Sequence, residues 1–289
     1  MIRKIILLTA VLFSSGLLFS WDIRSEHTVD WSANALYLEA TAYRESGDPA
    51  LPSARGLAEK ALERALPELL LKALSDIPAD SQATLGELSR TNKDVLEWYQ
   101  SLHQKVSTGT GHFTSDLSGL TVRFTLTLCP DLITPLIEHQ RSYKSELRLD
   151  WEPSGPFTGI IIYIPRDLPV FNTSRTAALE PCLLPKIYDQ ELKLLTAPYM
   201  IDPDALRAWG AVLYTHDLNE KSYIHRIGYY PMRLVARGVF GSRPTDPVIP
   251  QEWADKIRSS RDLQRLITQG RVVFVLQESL DTPEASTGP

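Results

Sequence analysis

The chain is poor in cysteine, and the two it has, Cys129 and Cys182, each stand next to a proline. No cysteine follows the first apolar run, so the residue that carries a lipoprotein's lipid is absent, and no Cys-x-x-Cys is present for zinc or thiol exchange. Basic runs are missing as well. With 30 Lys and Arg spread against 35 Asp and Glu, nothing resembles the grouped cations that bind nucleic acid by releasing counterions. Catalytic signatures are equally scarce: there is no Gly-x-Ser-x-Gly elbow, no His-Glu-x-x-His and no dinucleotide fingerprint. The six histidines are His27, His103, His112, His139, His216 and His225, and no two stand three or four apart, so no helix face offers a pair to a metal. On these grounds we expect no catalytic, cofactor-binding or metal-ligating residue, no cofactor and no nucleic-acid partner.

What the chain does have begins at its first residues. Arg3 and Lys4 precede an apolar run from Ile5 to Phe13 that resumes at Gly16–Phe19. The run is shorter than the ~20 residues a spanning helix needs, and Ser20 supplies a small residue before Trp21. This predicts a secretory signal over 1–20, the alternative being an uncleaved anchor. Removing it takes away two positive charges and no negative one, so the net charge of −5 becomes −7. The expected mature protein is acidic, periplasmic and without a transmembrane segment, either free or peripheral to the outer membrane. In an oxidising compartment Cys129 and Cys182 either pair or remain two buried thiols.

At 289 residues there is room for two cores. In 21–140, Leu36, Leu38, Ala40 and Ala42 alternate with polar or aromatic residues as in a strand. A turn over 44–49 leads to a helix capped by Ser53, with an Ala/Leu stripe from Leu57 to Leu74 opposite charged residues. Pro67 should bend that helix rather than end it. A second helical region covers 84–102, and Val122, Phe124, Leu126 and Leu128 mark a strand with one buried face. The glycines of 107–111 read as a flexible turn, since the lysine and helix of a phosphate loop are absent.

A polar, proline-bearing linker is expected over 141–156. The second domain, 157–277, opens with Phe157–Ile164, whose β-branched density predicts a strand buried on both faces in a sheet interior. Short strands follow at 183–188, 210–215 and 232–240, then two short helices around Trp253–Ile257 and Leu263–Ile267, and a last buried strand, Val272–Leu276. The tail, 278–289, has no apolar period and is expected to be disordered. The fold class is α+β: an exported two-domain protein, with a strand, long-helix and antiparallel-strand layer followed by a β-rich domain with short helices.

Two groups of residues invite a chemical reading. Thr215-His216-Asp217 and His225-Arg226 supply acid–base groups, but no nucleophile stands near either in sequence, and histidines in solvated turns are the plainer account. Trp209, Tyr214, Tyr223, Tyr229 and Tyr230 either line a ligand groove or pack the core and its rim, and packing is the reading we prefer.

The helix motif Ser53-Ala54-Arg55 with Ala58 and Ala61, followed by the Val122-x-Phe124-x-Leu126 strand, resembles the lipoprotein-twenty family of envelope proteins and the related N-terminal domain of flagellar-assembly protein T. Thr158-Gly159, Leu184 to Asp189, Arg226 to Pro231, Ala236-Arg237-Gly238 and Thr245-Asp246 extend the resemblance into the second half. It implies a non-enzymatic envelope or flagellum-associated part, with envelope or flagellar proteins as partners, self-association open, and no catalytic residues to inherit. The competing expectation is a periplasmic hydrolase or small-ligand-binding protein whose site carries no familiar motif.

Overall fold

The computed structural model describes residues 21–44, 54–144 and 156–277. Residues 1–20 of the expected leader, 45–53 with the expected turn and Ser53, 145–155 of the expected linker and 278–289 of the expected tail lie outside the described residues.

The chain folds as α+β in two domains, the first of strands and helices, the second rich in strands with short helices. In the first domain β1 (Trp21–Asp30) and β2 (Ala35–Arg44) form a long antiparallel hairpin. Helix α1 (Arg55–Ser75) follows, then α2 (Leu85–Thr91) and α3 (Lys93–Ser101). Two-residue strands β3 (Ser107–Thr108) and β4 (His112–Phe113) lead to β5 (Gly119–Thr127). The sheet runs β1-β2-β5-β3, with β4 also on β5. Alternation fixes its register, since Leu36, Leu38, Ala40 and Ala42 stand directly opposite Leu126, Phe124, Val122 and Leu120, and all eight are buried. Helix α1 lays Ala58, Leu62, Leu66 and Ala73 on that face. Pro67 sits inside α1, which continues past it to Ser75. The residue preceding α1 is Ala54, which offers no side-chain cap.

Strand β1 has no clear period in sequence. It is the sheet's edge, and only Trp21, Ile23 and Val29 lean on the cores while Ser25 and His27 break the alternation between them.

The second domain starts with β6 (Gly159–Ile164), then the short pair β7 (Leu168–Pro169) and β8 (Thr176–Ala177). Next come β9 (Ile187–Asp189), β10 (Leu194–Thr196), α4 (Pro203–Trp209) and β11 (Leu213–Thr215). The chain continues through α5 (Ile224–Ile227), β12 (Pro231–Val235), β13 (Gly238–Phe240) and β14 (Asp246–Ile249). It closes with α6 (Gln251–Ser259), α7 (Arg261–Thr268) and β15 (Val272–Leu276).

Strand β6 lies inside a four-stranded sheet of order β11-β15-β6-β12 whose pairings are all parallel. One face, with Ile160, Ile162, Met232 and Phe274, packs with α6, α7 and residues of the second sheet, β10-β9-β14-β13. The other, with Ile161, Val273 and Val275, meets Tyr223 and Ile227. Gly159 is required here, because a Cβ on it would come within 2.5 Å of the Ile227 backbone.

Several segments of the first domain meet the second, among them residues 128–133, whose Cys129 and Ile133 pack with Ile201, Leu206 and Ala211. Residues 78–81, between α1 and α2, accept hydrogen bonds from Leu183 N (3.2 Å, to Pro78 O), Leu184 N (2.8 Å, to Ala79 O) and Arg243 N (3.2 Å, to Ser81 O). The turn joining β1 and β2 inserts Trp31 edge-on against Tyr214, ring centroids 5.5 Å apart, and Tyr214 packs in turn on Phe274 at 5.6 Å.

Candidate binding cleft

Helices α6 and α7 each turn an apolar face to the core, through Ala254, Ile257, Leu263, Leu266 and Ile267. Ser260 separates them, and its hydroxyl caps α7 by accepting from Leu263 N at 3.3 Å. That junction sets Arg258, Arg261 and Arg265 along one side of a cleft of about 500 Å³. Its apolar lining is Leu195, Met200, Ile257 and Ile267, and Tyr143 and Lys144 line it from the start of the linker. Tyr143 is held there by donating its N–H to Tyr199 O at 2.8 Å and packing edge-on against the Tyr199 ring, centroids 5.9 Å apart.

The three arginines differ in what occupies them. Arg258 is nearly buried, with Nη1 2.7 Å from Asp189 Oδ2 and 3.6 Å from Asp255 Oδ1. Asp189 is fully buried, and its Oδ1 accepts from Glu191 N at 2.9 Å and Lys193 N at 2.8 Å. Burial alone raises the Asp189 pKa, but the Lys193 N–H and Arg258 together outweigh it and hold the carboxyl below its usual range. Arg258 is therefore structural. Arg265 forms an exposed pair with Asp262 at 3.0 Å, which solvent screens. Among the described residues no carboxylate pairs with Arg261, so its charge faces the cleft uncommitted.

Arginine, lysine, glutamine and tyrosine here supply donors and positive charge over an apolar floor, and among the described residues the lining includes no His, Cys, Asp or Glu. Such a wall has the donors and the charge to meet an anionic group carried beside apolar atoms.

The histidines and aromatics singled out in sequence lie elsewhere. His216 Nδ1 is 3.1 Å from Leu276 O, at the surface. His225 lines a smaller cavity with Trp209 and Tyr214. Tyr223 is in the core, whereas Tyr229 and Tyr230 are 79% and 70% exposed. The aromatics thus form no single groove. Both cysteines are buried free thiols, with Cys182 N donating to the Tyr214 hydroxyl at 3.2 Å while that hydroxyl donates to Cys182 O at 3.0 Å. Reasoning from sequence missed the cleft, although Arg261 and Arg265, four apart, follow a helical spacing that one face can display.

The N-terminal stretch, residues 22–135, matches the family model of the Treponema pallidum Tp0624 N-terminal domain. The similarity continues into the second Tp0624 domain. Its family model matches residues 159–278, so two Tp0624 domain families cover the chain in the order they hold in that protein. The expected kinship with the lipoprotein-twenty family and flagellar-assembly protein T is overturned, since neither matches. Those motifs mark a kind of packing, an Ala/Leu helix face on a Val-x-Phe-x-Leu strand, and here they are Ala58, Leu62 and Leu66 against Val122 and Phe124. No curated protein matches the chain.

Proposed function

We propose that this protein is a non-enzymatic, exported structural or assembly factor of the cell envelope that engages a partner protein through the cleft beside α6 and α7. The observation that carries the reading is the cleft's make-up: an apolar floor of Leu195, Ile257 and Ile267 under the uncommitted charge of Arg261, with Lys144 alongside. An acidic segment bearing apolar side chains satisfies both parts, the charge steering the encounter and the floor adding burial. A flagellar role rested on the overturned resemblance and is no part of the proposal. Cross-linking in the native cell, followed by purification, tests the reading. Envelope proteins should be captured by the wild type and lost with Arg261→Glu, which reverses the charge without touching the core. Equal capture by both proteins would remove the cleft from the account.

A second reading, a small-ligand-binding protein, is favoured by one geometric feature. The cleft's volume of about 500 Å³ falls within the range of small-molecule sites. A metabolite that co-purifies with the wild type and not with Arg261→Glu, in the absence of any captured protein, would select it.

A further inference from the structure

Strand β1 is the outer edge of the first sheet, and all of Trp21–Asp30 pairs with β2 without a register shift. Among the described residues the backbone of β1 bonds to no element but β2, so the other side of the strand leaves its N–H and C=O groups open. Edges of this length are ordinarily blunted by proline, lysine or a bulge, and β1 has none of the three. It is a strand able to accept another.

The charges on its exposed face decide what it accepts. Glu26 stands directly across the hairpin from Glu39, a like charge, and makes no ion pair among the described residues. Glu39 is itself held from the far side by Arg123 of β5, with Arg123 Nη2 2.5 Å from its Oε1. Like charges directly opposite on a sheet repel, so a cation on the open side of Glu26 would relieve the pair. Arg24 lies on the same face of β1 and is exposed. Its Nε and Nη2 donate to Asp22 Oδ2 at 3.0 and 2.9 Å, which leaves Nη1 without an acceptor among the described residues.

We infer that β1 is a self-association edge, on which two copies of this chain pair their β1 strands antiparallel about Ser25 and join their sheets into one. In that register Arg24 of each copy stands opposite Glu26 of the other, Trp21 opposite Val29 and Ile23 opposite His27, with like faces on the same side. The neighbouring registers are disfavoured by charge. Centring on Glu26 sets Glu26 against Glu26 and Asp22 against Asp30, and centring on Arg24 sets Arg24 against Arg24. Centring on His27 would bring Arg24 to Asp30, but Asp30 Oδ1 already accepts from Ser32 N, Ser32 Oγ and Ala33 N, and the overlap shrinks to Arg24–Asp30. The inference is independent of the cleft and of its partner.

The test measures the mass of the full chain by sedimentation equilibrium over a range of concentrations. The wild type should form a dimer. Glu26→Lys sets a cation opposite Arg24 twice per dimer and should weaken association by about tenfold or more. Combining Arg24→Glu with Glu26→Lys restores opposite charges in the same register and should bring the dissociation constant back to within about threefold of the wild type. Both side chains are exposed, so neither change disturbs the core. A wild type still monomeric at about 1 mM, the weak end of specific association, would overturn the inference. So would a dimer that Glu26→Lys leaves intact, or one that the double variant fails to restore.

Discussion

Asp189 and Asp246 are carboxylates buried in one domain and resolved in opposite ways. Asp189 has Arg258, and replacing Arg258 with Ala would leave a buried charge unpaired at a cost of about 3–5 kcal/mol, measurable by denaturant unfolding at neutral pH. Asp246 makes no ion pair among the described residues, and Lys186 acts on it only weakly. Its Oδ1 accepts from Lys186 N and Thr245 Oγ1, each at 3.0 Å, and burial is the main reason its pKa is raised, against the opposing effect of the Lys186 N–H and of the Ser81 and Thr245 hydroxyls. The sign follows directly: the native state holds the proton more tightly, so the Asp246 contribution is favourable below the unfolded pKa near 3.9 and is lost as pH rises through the higher folded one. Asp246→Asn should therefore raise the melting temperature at pH 7 by about 1 °C or more and leave it nearly unchanged at pH 3, read by thermal unfolding at both. Neither carboxylate was legible in sequence as buried, because each lies in a short strand between turn residues and its burial comes from elements distant in the chain.

Periodic elements were the legible ones. The stripe of α1, the alternation of β2 and β5, the two-sided burial of β6 and the paired helices α6 and α7 are all where their spacing places them. Spacing does not encode strand direction, so the parallel course of the β6 sheet was not foreseen. Nor could an edge strand such as β1, half wet and interrupted by Ser25 and His27, announce itself by period. Leu66 tests whether the α1 stripe is core: it is 7% exposed among Leu38, Ala40, Val122 and Phe124. Leu66→Ala should cost about 2–5 kcal/mol and lower the melting temperature by several degrees, and a shift under about 1 °C would show the helix face to be dispensable to folding. The cleft was half legible, since α7 displays Arg261 and Arg265 at helical spacing while Tyr143 and Lys144 reach it from a polar stretch that has no period to read.

For the whole molecule, the seam between the domains decides how it behaves. Trp31 against Tyr214, together with residues 78–81 against Leu183, Leu184 and Arg243, makes one continuous seam, so the domains should melt together. Trp31→Ala should broaden or split the calorimetric transition, and a single undisturbed peak would show that the hydrogen-bonded loop suffices. Limited proteolysis should cut first within 141–156, and early cuts inside α1 or β5 would argue against a boundary there. The parallel sheet carries a further consequence, a mechanical one. β6 opens the second domain and β15 closes it, and the two are parallel neighbours in register from Ile160–Val272 to Ile164–Leu276. Tension applied where the chain enters β6 and where it leaves β15 draws the strands in opposite directions along their own length. Their hydrogen bonds then bear the load side by side instead of opening one after another, and the domain resists stretching along that line.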